Sequence, residues 1–238
     1  MWSDIACPWC YIGKRKFEAG AAAFAAEVGE NAPDVVIEYH SFELSPDTPV
    51  DFEGSAADFL AGHKGMPTEQ AQSMLANVTG IAAQVGLTYD YDSLQHTNTV
   101  KAHELLHYAK THGVQLEAVE RLLKAYFVEG KHVGRNEDLA DLGAELGLDR
   151  ADIIRSLTAK EYLPAVRADQ AKAIEYGING VPFFVLDGKY GVSGAQDPTV
   201  FAQALGQVWS EASRASSTST DSASPTNTAS TDTEETHA

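Results

Sequence analysis

The chain has 238 residues, 44% hydrophobic and 21% charged, which is typical of a soluble globular protein with one large domain or two small ones. Its 17 basic and 34 acidic residues give a net charge of −17. Such a surface repels phosphate groups, so nucleic acid is not an expected partner. No run of about 18 apolar residues occurs, and the start lacks the basic and apolar regions of a secretory signal. We therefore expect a cytoplasmic protein with no membrane partner.

The predicted elements form two α/β parts that enclose a long helical block. A short strand over residues 1–5 precedes an Ala-rich helix over 11–28 and a β-branched, aromatic strand over 34–42. The middle of the chain has apolar residues at helical spacing, with glycines placed to end helices. Its predicted helices cover 55–61, 67–85, 98–111, 116–128, 137–146 and 150–160. A helix over 164–176, strands over 181–186 and 189–192 joined through Asp187-Gly188, and a helix over 199–209 follow.

This order predicts an α/β protein with an inserted all-helical domain. Residues 1–48 and 164–209 would form the α/β parts, and residues 49–163 the inserted helical domain. From residue 210 onward about half of the chain is Ser and Thr, and almost nothing is apolar. Such a segment buries too little surface to offset the entropy of ordering it. We therefore predict a disordered acidic tail over residues 210–238.

The cysteines form one C-x-x-C motif, Cys7-Pro8-Trp9-Cys10, between a predicted strand and a predicted helix. Two cysteines exclude a disulfide-stapled secreted fold, and zinc would need two more ligands. Cys7 at a helix N-terminus meets unpaired N–H groups and the positive dipole end, which predicts a lowered thiol pKa. Pro8 suits the first helical turn, and Cys10 can form a disulfide with Cys7 or resolve a mixed disulfide. Trp9 could face solvent and add to an apolar substrate surface.

The second candidate is Val181-Pro182, which opens a hydrophobic run after a glycine-bounded loop. Proline inside a strand normally argues against a central strand. A cis peptide bond resolves this conflict, because it turns the Val181 backbone toward the cysteines, where it can pair with a substrate chain. A trans proline on an edge strand is the alternative.

A zinc-protease pattern, H-E-x-x-H, occupies residues 103–107, and Glu129 lies at a plausible distance for a third ligand. The predicted buried stripe of this helix contains Ala102, Leu105, Leu106 and Ala109. His103 and His107 fall outside that stripe. We therefore expect both histidines on a solvated helix face, with no metal bound.

Four segments carry a family resemblance: WSDIACPWCYIGKR, YHSFELSPDTP, HTNTVKAHELLHYAK and GVPFFVLDGKYGVSGAQ. They resemble the FrnE-like DsbA-family oxidoreductases of the thioredoxin superfamily, over about residues 1–209. The resemblance implies a thioredoxin-like fold with an inserted all-helical domain. It also implies that Cys7 is the attacking cysteine, Cys10 the resolving cysteine and Pro182 the cis-proline. The extra cysteine pair of some relatives is absent, so no second redox centre is implied.

The motif and the resemblance together predict a thiol–disulfide oxidoreductase that reduces, oxidises or isomerises disulfides. Its Cys7–Cys10 pair would be the redox group, with no metal or flavin cofactor. The expected partners are protein or low-molecular-weight thiols and disulfides, together with an electron donor or acceptor that the sequence does not identify. One alternative is a glutathione-transferase-like or isomerase enzyme of the same architecture, which typically has Ser at the position of Cys7. Another is a holdase-like module that binds unfolded chains around Trp9 and Pro182.

Overall fold

The computed structural model describes residues 1–220, and the side chains of residues 1–214. The α/β parts and the helical block occur in the predicted order. The first part contains β1 (Trp2–Ser3), α1 (Pro8–Val28) and β2 (His40–Ser41). The helical block contains α2 (Ala56–Lys64), α3 (Thr68–Gln84), α4 (Val100–Thr111), α5 (Gln115–Phe127), α6 (Asn136–Ala144) and α7 (Arg150–Ala159). The last part contains α8 (Leu163–Glu175), β3 (Phe183–Leu186), β4 (Tyr190–Ser193) and α9 (Pro198–Thr220).

The strands form one mixed sheet in the order β2-β1-β3-β4. Strand β1 is parallel to β2 and antiparallel to β3, with Trp2 opposite Phe183 in the latter pair. Strands β3 and β4 form an antiparallel hairpin. In its turn Asp187 and Gly188 have positive φ angles of 51° and 65°, the backbone region that Asp and Gly tolerate best. The Asp-Gly signal therefore marks the hairpin correctly.

Strand β2 is much shorter than the predicted strand over residues 34–42. Within residues 34–42, backbone hydrogen bonds to β1 form only at the end of the segment. The His40 N–H donates to Met1 O at 2.8 Å, and the Phe42 N–H donates to Ser3 O at 3.1 Å. The earlier residues have no strand structure, and Val36 is 90% exposed. A β-branched run favours extended backbone, but a strand also needs a partner, and β1 is only two residues long.

Helix α1 packs along α9 and against the sheet, and this arrangement fixes the position of its N-terminus. Phe17 of α1 stacks on Phe184 of β3 at 5.3 Å and meets Phe201 of α9 edge-on at 5.4 Å. The buried cluster containing these rings continues into the helical block, where it includes Leu105 and Leu122. The α/β parts and the block thus share a continuous core. The division at residues 48 and 163 stays a prediction.

Helix α9 extends past residue 209, so the predicted tail boundary at residue 210 is wrong. Glu211 accepts a hydrogen bond from the Tyr190 hydroxyl at 2.6 Å, which ties this part of the helix to β4. Ala is the strongest helix former, and Ser and Thr are weaker formers that can still continue a helix that is already packed. The rest of the predicted tail, residues 221–238, lies outside the described residues. Within residues 1–220 no helix is long and apolar enough to cross a membrane.

Candidate active site

The C-x-x-C motif lies at the N-terminus of α1. Cys7 is the N-cap residue with extended backbone angles, and Pro8 is the first helical residue. The Cys10 N–H donates to Cys7 O at 3.0 Å, so the two cysteines share the first helical turn. Both are free thiols, and both are buried, with 2% and 0% of their surfaces exposed. The structure is that of a reduced dithiol covered by its surroundings.

Val181 and Pro182 lie against this helix turn. The Cys7 thiol donates to Val181 O at an Sγ–O distance of 3.4 Å, and the Val181–Pro182 peptide bond is cis. Pro182 approaches α1 at Gly13, where an added Cβ would lie 2.9 Å from Pro182 Cγ. Only a residue without a side chain leaves room for the proline ring here. Gly13 is not among the predicted site residues, although a glycine inside a helix is a signal for such close packing.

Burial dominates the ionisation of Cys7. It raises the pKa of the Cys7 thiol, and the adjacent Cys10 thiol and the Asp4 carboxylate act in the same direction. A hydrogen bond from the Cys10 backbone N–H opposes them. The predicted lowering of the Cys7 pKa is therefore wrong for this reduced state. That prediction rested on the helix N-terminus alone, and the motif gives no information about how deeply the thiol is buried.

Asp4, in the connection between β1 and α1, is a buried carboxylate next to the dithiol. It is 1% exposed and accepts hydrogen bonds from the N–H groups of Leu44 at 2.8 Å and Ala6 at 3.3 Å. His103 Nε2 lies 3.3 Å from its Oδ1. Burial alone would raise the pKa of Asp4, but the hydrogen bond and charge of His103 and the backbone donor lower it. Asp4 is therefore ionised at neutral pH.

The H-E-x-x-H histidines are not on a solvated face, and that prediction is wrong. His103 is 1% exposed against Asp4. His107 is also largely buried, with its Nε2 3.1 Å from Asp169 Oδ2. The third candidate, Glu129, is ion-paired with an arginine of α5. The two histidines thus contact different carboxylates, Asp4 and Asp169. Through these contacts α4 is connected to both α/β parts of the chain.

The helical block also holds the backbone of the motif. The Tyr89 hydroxyl, in the connection between α3 and α4, donates to Pro8 O at 2.7 Å. The Tyr89 ring stacks on Phe127 of α5 at 4.6 Å and on Tyr11 of α1 at 6.2 Å. A buried tyrosine with its hydroxyl bonded is a rigid contact. Tyr89 therefore fixes the first turn of α1, a role that no sequence motif marks.

A cavity of about 440 Å³ lies between the dithiol and the helical block. Cys7 and Val181 line one side, and Trp9, Leu44 and Met74 line it with 38–41% of their surfaces exposed. Further apolar lining comes from Ala56, Leu60, Leu75, Val78, Leu94 and Phe127. Exposed apolar side chains around a cavity are typical of a binding surface. The arrangement can therefore hold an apolar group beside a reactive thiol.

A sheet flanked by helices, with a dithiol at a helix N-terminus and a Val-Pro pair facing it, defines the thioredoxin-like class of folds. Comparison with known families gives a match to the DSBA-like thioredoxin domain over residues 1–206. The chain belongs to this family. The predicted DsbA-family resemblance and the thioredoxin-like α/β fold are confirmed.

Comparison with solved structures and with curated proteins finds similar proteins along most of the chain. The structure of a probable DsbA oxidoreductase from Streptomyces coelicolor is similar, with 41% identity, a TM-score of 0.79 and 88% of each chain covered. DsbM from Pseudomonas aeruginosa, described as a cytosolic disulfide reductase, has a TM-score of 0.57 over 87% of this chain and 96% of its own. At 18% identity, DsbM shows the fold alone. YwbO of Bacillus subtilis, an uncharacterized protein, is 28% identical over 207 residues, covering 86% of this chain and 94% of YwbO.

Proposed function

We propose that this protein is a thiol–disulfide oxidoreductase that works through Cys7 and Cys10. The observation that carries the proposal is the geometry of the pair. Cys7 caps α1, Cys10 follows within one helical turn, and the Cys7 sulfur lies 3.4 Å from the Val181 carbonyl, beside the cavity. One thiol is thus adjacent to a substrate surface, while the other is fully enclosed behind it. This arrangement supports Cys7 as the nucleophilic thiol and Cys10 as the resolving thiol.

In the reductive direction, the Cys7 thiolate attacks one sulfur of a substrate disulfide. The substrate S–S bond breaks, and its second sulfur leaves as a thiolate that takes up a proton. Cys10 then loses its proton and attacks the Cys7 sulfur, which releases the remaining substrate thiol. Two electrons and two protons pass from the dithiol to the substrate, and the Cys7–Cys10 disulfide remains. The reverse sequence oxidises a substrate dithiol, and resolution by a substrate thiol gives isomerisation.

The surroundings of Cys7 support protein or small thiol and disulfide substrates. Trp9 and its neighbours offer apolar surface, and Val181 O accepts the Cys7 S–H in the resting state. Once Cys7 is in a mixed disulfide it has no proton to donate, so Val181 O is available to a substrate N–H. The chemistry uses the dithiol alone, and a thiol or dithiol donor would reduce it again. We propose a cytoplasmic location, by analogy with the cytosolic disulfide reductase DsbM.

Trapping of the mixed disulfide tests the proposal. Cys10→Ser should accumulate a covalent adduct with insulin, seen by mass spectrometry without reductant and removed by dithiothreitol, because nothing resolves the Cys7–substrate bond. Cys7→Ser is the matched control and should form no such adduct. Both changes replace sulfur by oxygen in a buried site, so thermal melting should accompany each assay. An adduct on Cys10 in Cys7→Ser, or none in folded Cys10→Ser, would contradict the assigned roles.

A further inference from the structure

Two side chains in the wall of the cavity beside Cys7 each have a polar atom with no hydrogen-bond partner among the described residues. These atoms are Nε2 of His96 and the hydroxyl oxygen of Tyr91, both in the connection between α3 and α4. Both atoms are shielded from solvent, and His96 as a whole is 7% exposed. A buried polar group without a partner destabilises a fold, so native structures rarely contain one without a reason.

The partner of the other His96 nitrogen decides where the imidazole carries its proton. The Tyr126 hydroxyl lies 2.7 Å from Nδ1 of His96, its one hydrogen-bond partner among the described residues. Burial raises the pKa of Tyr126 well above its ordinary value and lowers the pKa of His96 to about 4, so the phenol is protonated and the imidazole neutral. Tyr126 therefore donates to Nδ1, because its proton has no other acceptor. The ring proton is then on Nε2, and that N–H is an unpaired donor.

The Tyr91 hydroxyl is the second unpaired group, and it is close to the reacting sulfur. Burial raises the pKa of this hydroxyl, and the neighbouring Cys7 sulfur raises it further, so the hydroxyl is protonated at neutral pH. The Tyr91 ring is held edge-on against Phe127 at 6.3 Å and against Tyr89 at 5.9 Å. A protonated hydroxyl on a ring held in this way can donate to an oxygen atom a few bonds from a sulfur attached to Cys7.

The rest of the wall sets the size and the charge of a ligand. The volume of about 440 Å³ is in the range of small-molecule sites. Helices α2 and α3 contribute apolar side chains, namely Ala56, Phe59, Leu60, Met74, Leu75 and Val78. The buried carboxylate of the wall, Asp4, is already paired with His103, and Lys64 is exposed to water. A charged ligand would lose its hydration without gaining a buried counter-charge, so a neutral ligand fits best.

We propose that the cavity binds a neutral low-molecular-weight disulfide that carries a carbonyl or amide oxygen near its sulfur, with the N–H of His96 and the hydroxyl of Tyr91 as the donors to that oxygen. This inference rests on the proposed function and names a substrate class for the same site. The half-buried Phe59 ring, 3.5 Å from the His96 ring between centroids, must turn aside as the ligand enters. The Cys7 thiolate then attacks the nearer substrate sulfur. A Cys7–substrate disulfide forms, the substrate S–S bond breaks, and the second half leaves as a thiolate that takes up a proton.

The rate at which Cys7 forms a mixed disulfide tests the proposal, measured by mass spectrometry in a Cys10→Ser background, where the adduct accumulates. The probes are diacetylcystamine, a neutral disulfide with one amide on each half, and dipropyl disulfide, which has no polar group. Each rate is divided by that of the same probe with dithiothreitol, so that intrinsic reactivity cancels. Tyr91→Phe should slow the amide probe about fivefold and leave dipropyl disulfide unchanged. The fold should tolerate this change, because the hydroxyl that is removed has no partner among the described residues.

His96→Asn tests the second donor. Asparagine retains an acceptor oxygen near the position of Nδ1 for Tyr126 and has no atom at the position of Nε2. It should slow the amide probe by a similar factor, about fivefold, relative to dipropyl disulfide. Tyr108→Phe is the matched control, because Tyr108 is a buried tyrosine of α4 outside the cavity wall. This control should change neither rate.

An unchanged amide rate in Tyr91→Phe, or in folded His96→Asn, would show that water rather than substrate pairs with these groups, and would overturn the proposal. Equal slowing of both probes would overturn it as well, because a packing defect does not distinguish them. So would a normalised rate for the dianion of dithiodipropionic acid equal to that of the amide probe. If His96→Asn does not fold, Tyr91→Phe decides. The failure of the proposed function has a different signature, since Cys7 would then form no adduct with any probe.

Discussion

Replacement of Gly13 by alanine directly tests the packing of Pro182 on the dithiol helix. The added Cβ would lie 2.9 Å from Pro182 Cγ and 3.5 Å from Ala195 Cβ. The first distance is too short for two carbon atoms, and the proline ring cannot rotate away as a flexible side chain would. Either α1 or the chain around Pro182 must therefore shift. That shift would move the ring relative to Cys7, the N-cap residue about 1.7 turns before Gly13.

The expected magnitude follows from two opposing effects. Alanine favours a helix interior by about 1 kcal/mol over glycine. Overpacking of a close contact costs about 1–3 kcal/mol. Gly13→Ala should thus range from neutral to about 2 kcal/mol less stable. Gly80 of α3 is the matched control, because a Cβ there meets no atom of the described residues within 4 Å. Gly80→Ala should gain the helix preference alone, about 1 kcal/mol.

Urea unfolding of both variants measures the difference, which should be about 1–3 kcal/mol in favour of Gly80→Ala. Insulin-disulfide reduction should fall several-fold in Gly13→Ala and stay unchanged in Gly80→Ala. Equal stabilisation in the two variants, with equal activity, would show that Pro182 does not pack on Gly13. The geometry described for the site would then be wrong.

Two other contacts give further predictions. Tyr89→Phe removes the hydrogen bond to Pro8 O and should lower the free energy of unfolding by about 0.5–1.5 kcal/mol. Tyr91→Phe is the control and should leave the free energy of unfolding unchanged, because the Tyr91 hydroxyl has no hydrogen-bond partner among the described residues. Burial would raise the pKa of Glu120, but Arg15 and Lys14 lower it to about 2, below the unfolded value of about 4.3, so its contribution is present above that value and lost as pH falls toward 2. After allowance for partial exposure, Glu120→Gln should lower the free energy of unfolding by about 1–2 kcal/mol at pH 7 and by little near pH 2. Urea unfolding of wild type and variant across this pH range measures the difference. A difference that does not change with pH would contradict the linkage.

Features set by neighbouring residues could be predicted from the sequence. Cys7 caps α1 and Pro8 begins it, as expected because proline suits the first helical position, where its missing N–H would have no intrahelical acceptor. The turn at Asp187-Gly188 follows from the backbone freedom of those two residues. These local rules, together with the family resemblance, were sufficient to predict the fold and the position of the dithiol.

Features that depend on contacts between residues far apart in the sequence could not be predicted from it. His103 and Asp4 are 99 residues apart, and no local pattern links them. Helix α4 packs against α5, α6, α7 and α8, so it buries more than one face, and a single apolar stripe underestimates its burial. The ionisation of Cys7 was mispredicted for the same reason, since the motif shows the helix N-terminus but not the surfaces that cover it.

The central claim is that Cys7 is the group that attacks substrate disulfides. The most direct test is the initial rate of insulin-disulfide reduction by dithiothreitol with the wild type, Cys7→Ser and Cys10→Ser at equal concentration, each confirmed as folded by thermal melting. The wild type should accelerate the reaction, and Cys7→Ser should fall to the rate of dithiothreitol alone. Acceleration by Cys7→Ser equal to that of the wild type would contradict the claim and favour a protein that binds chains without exchanging their disulfides.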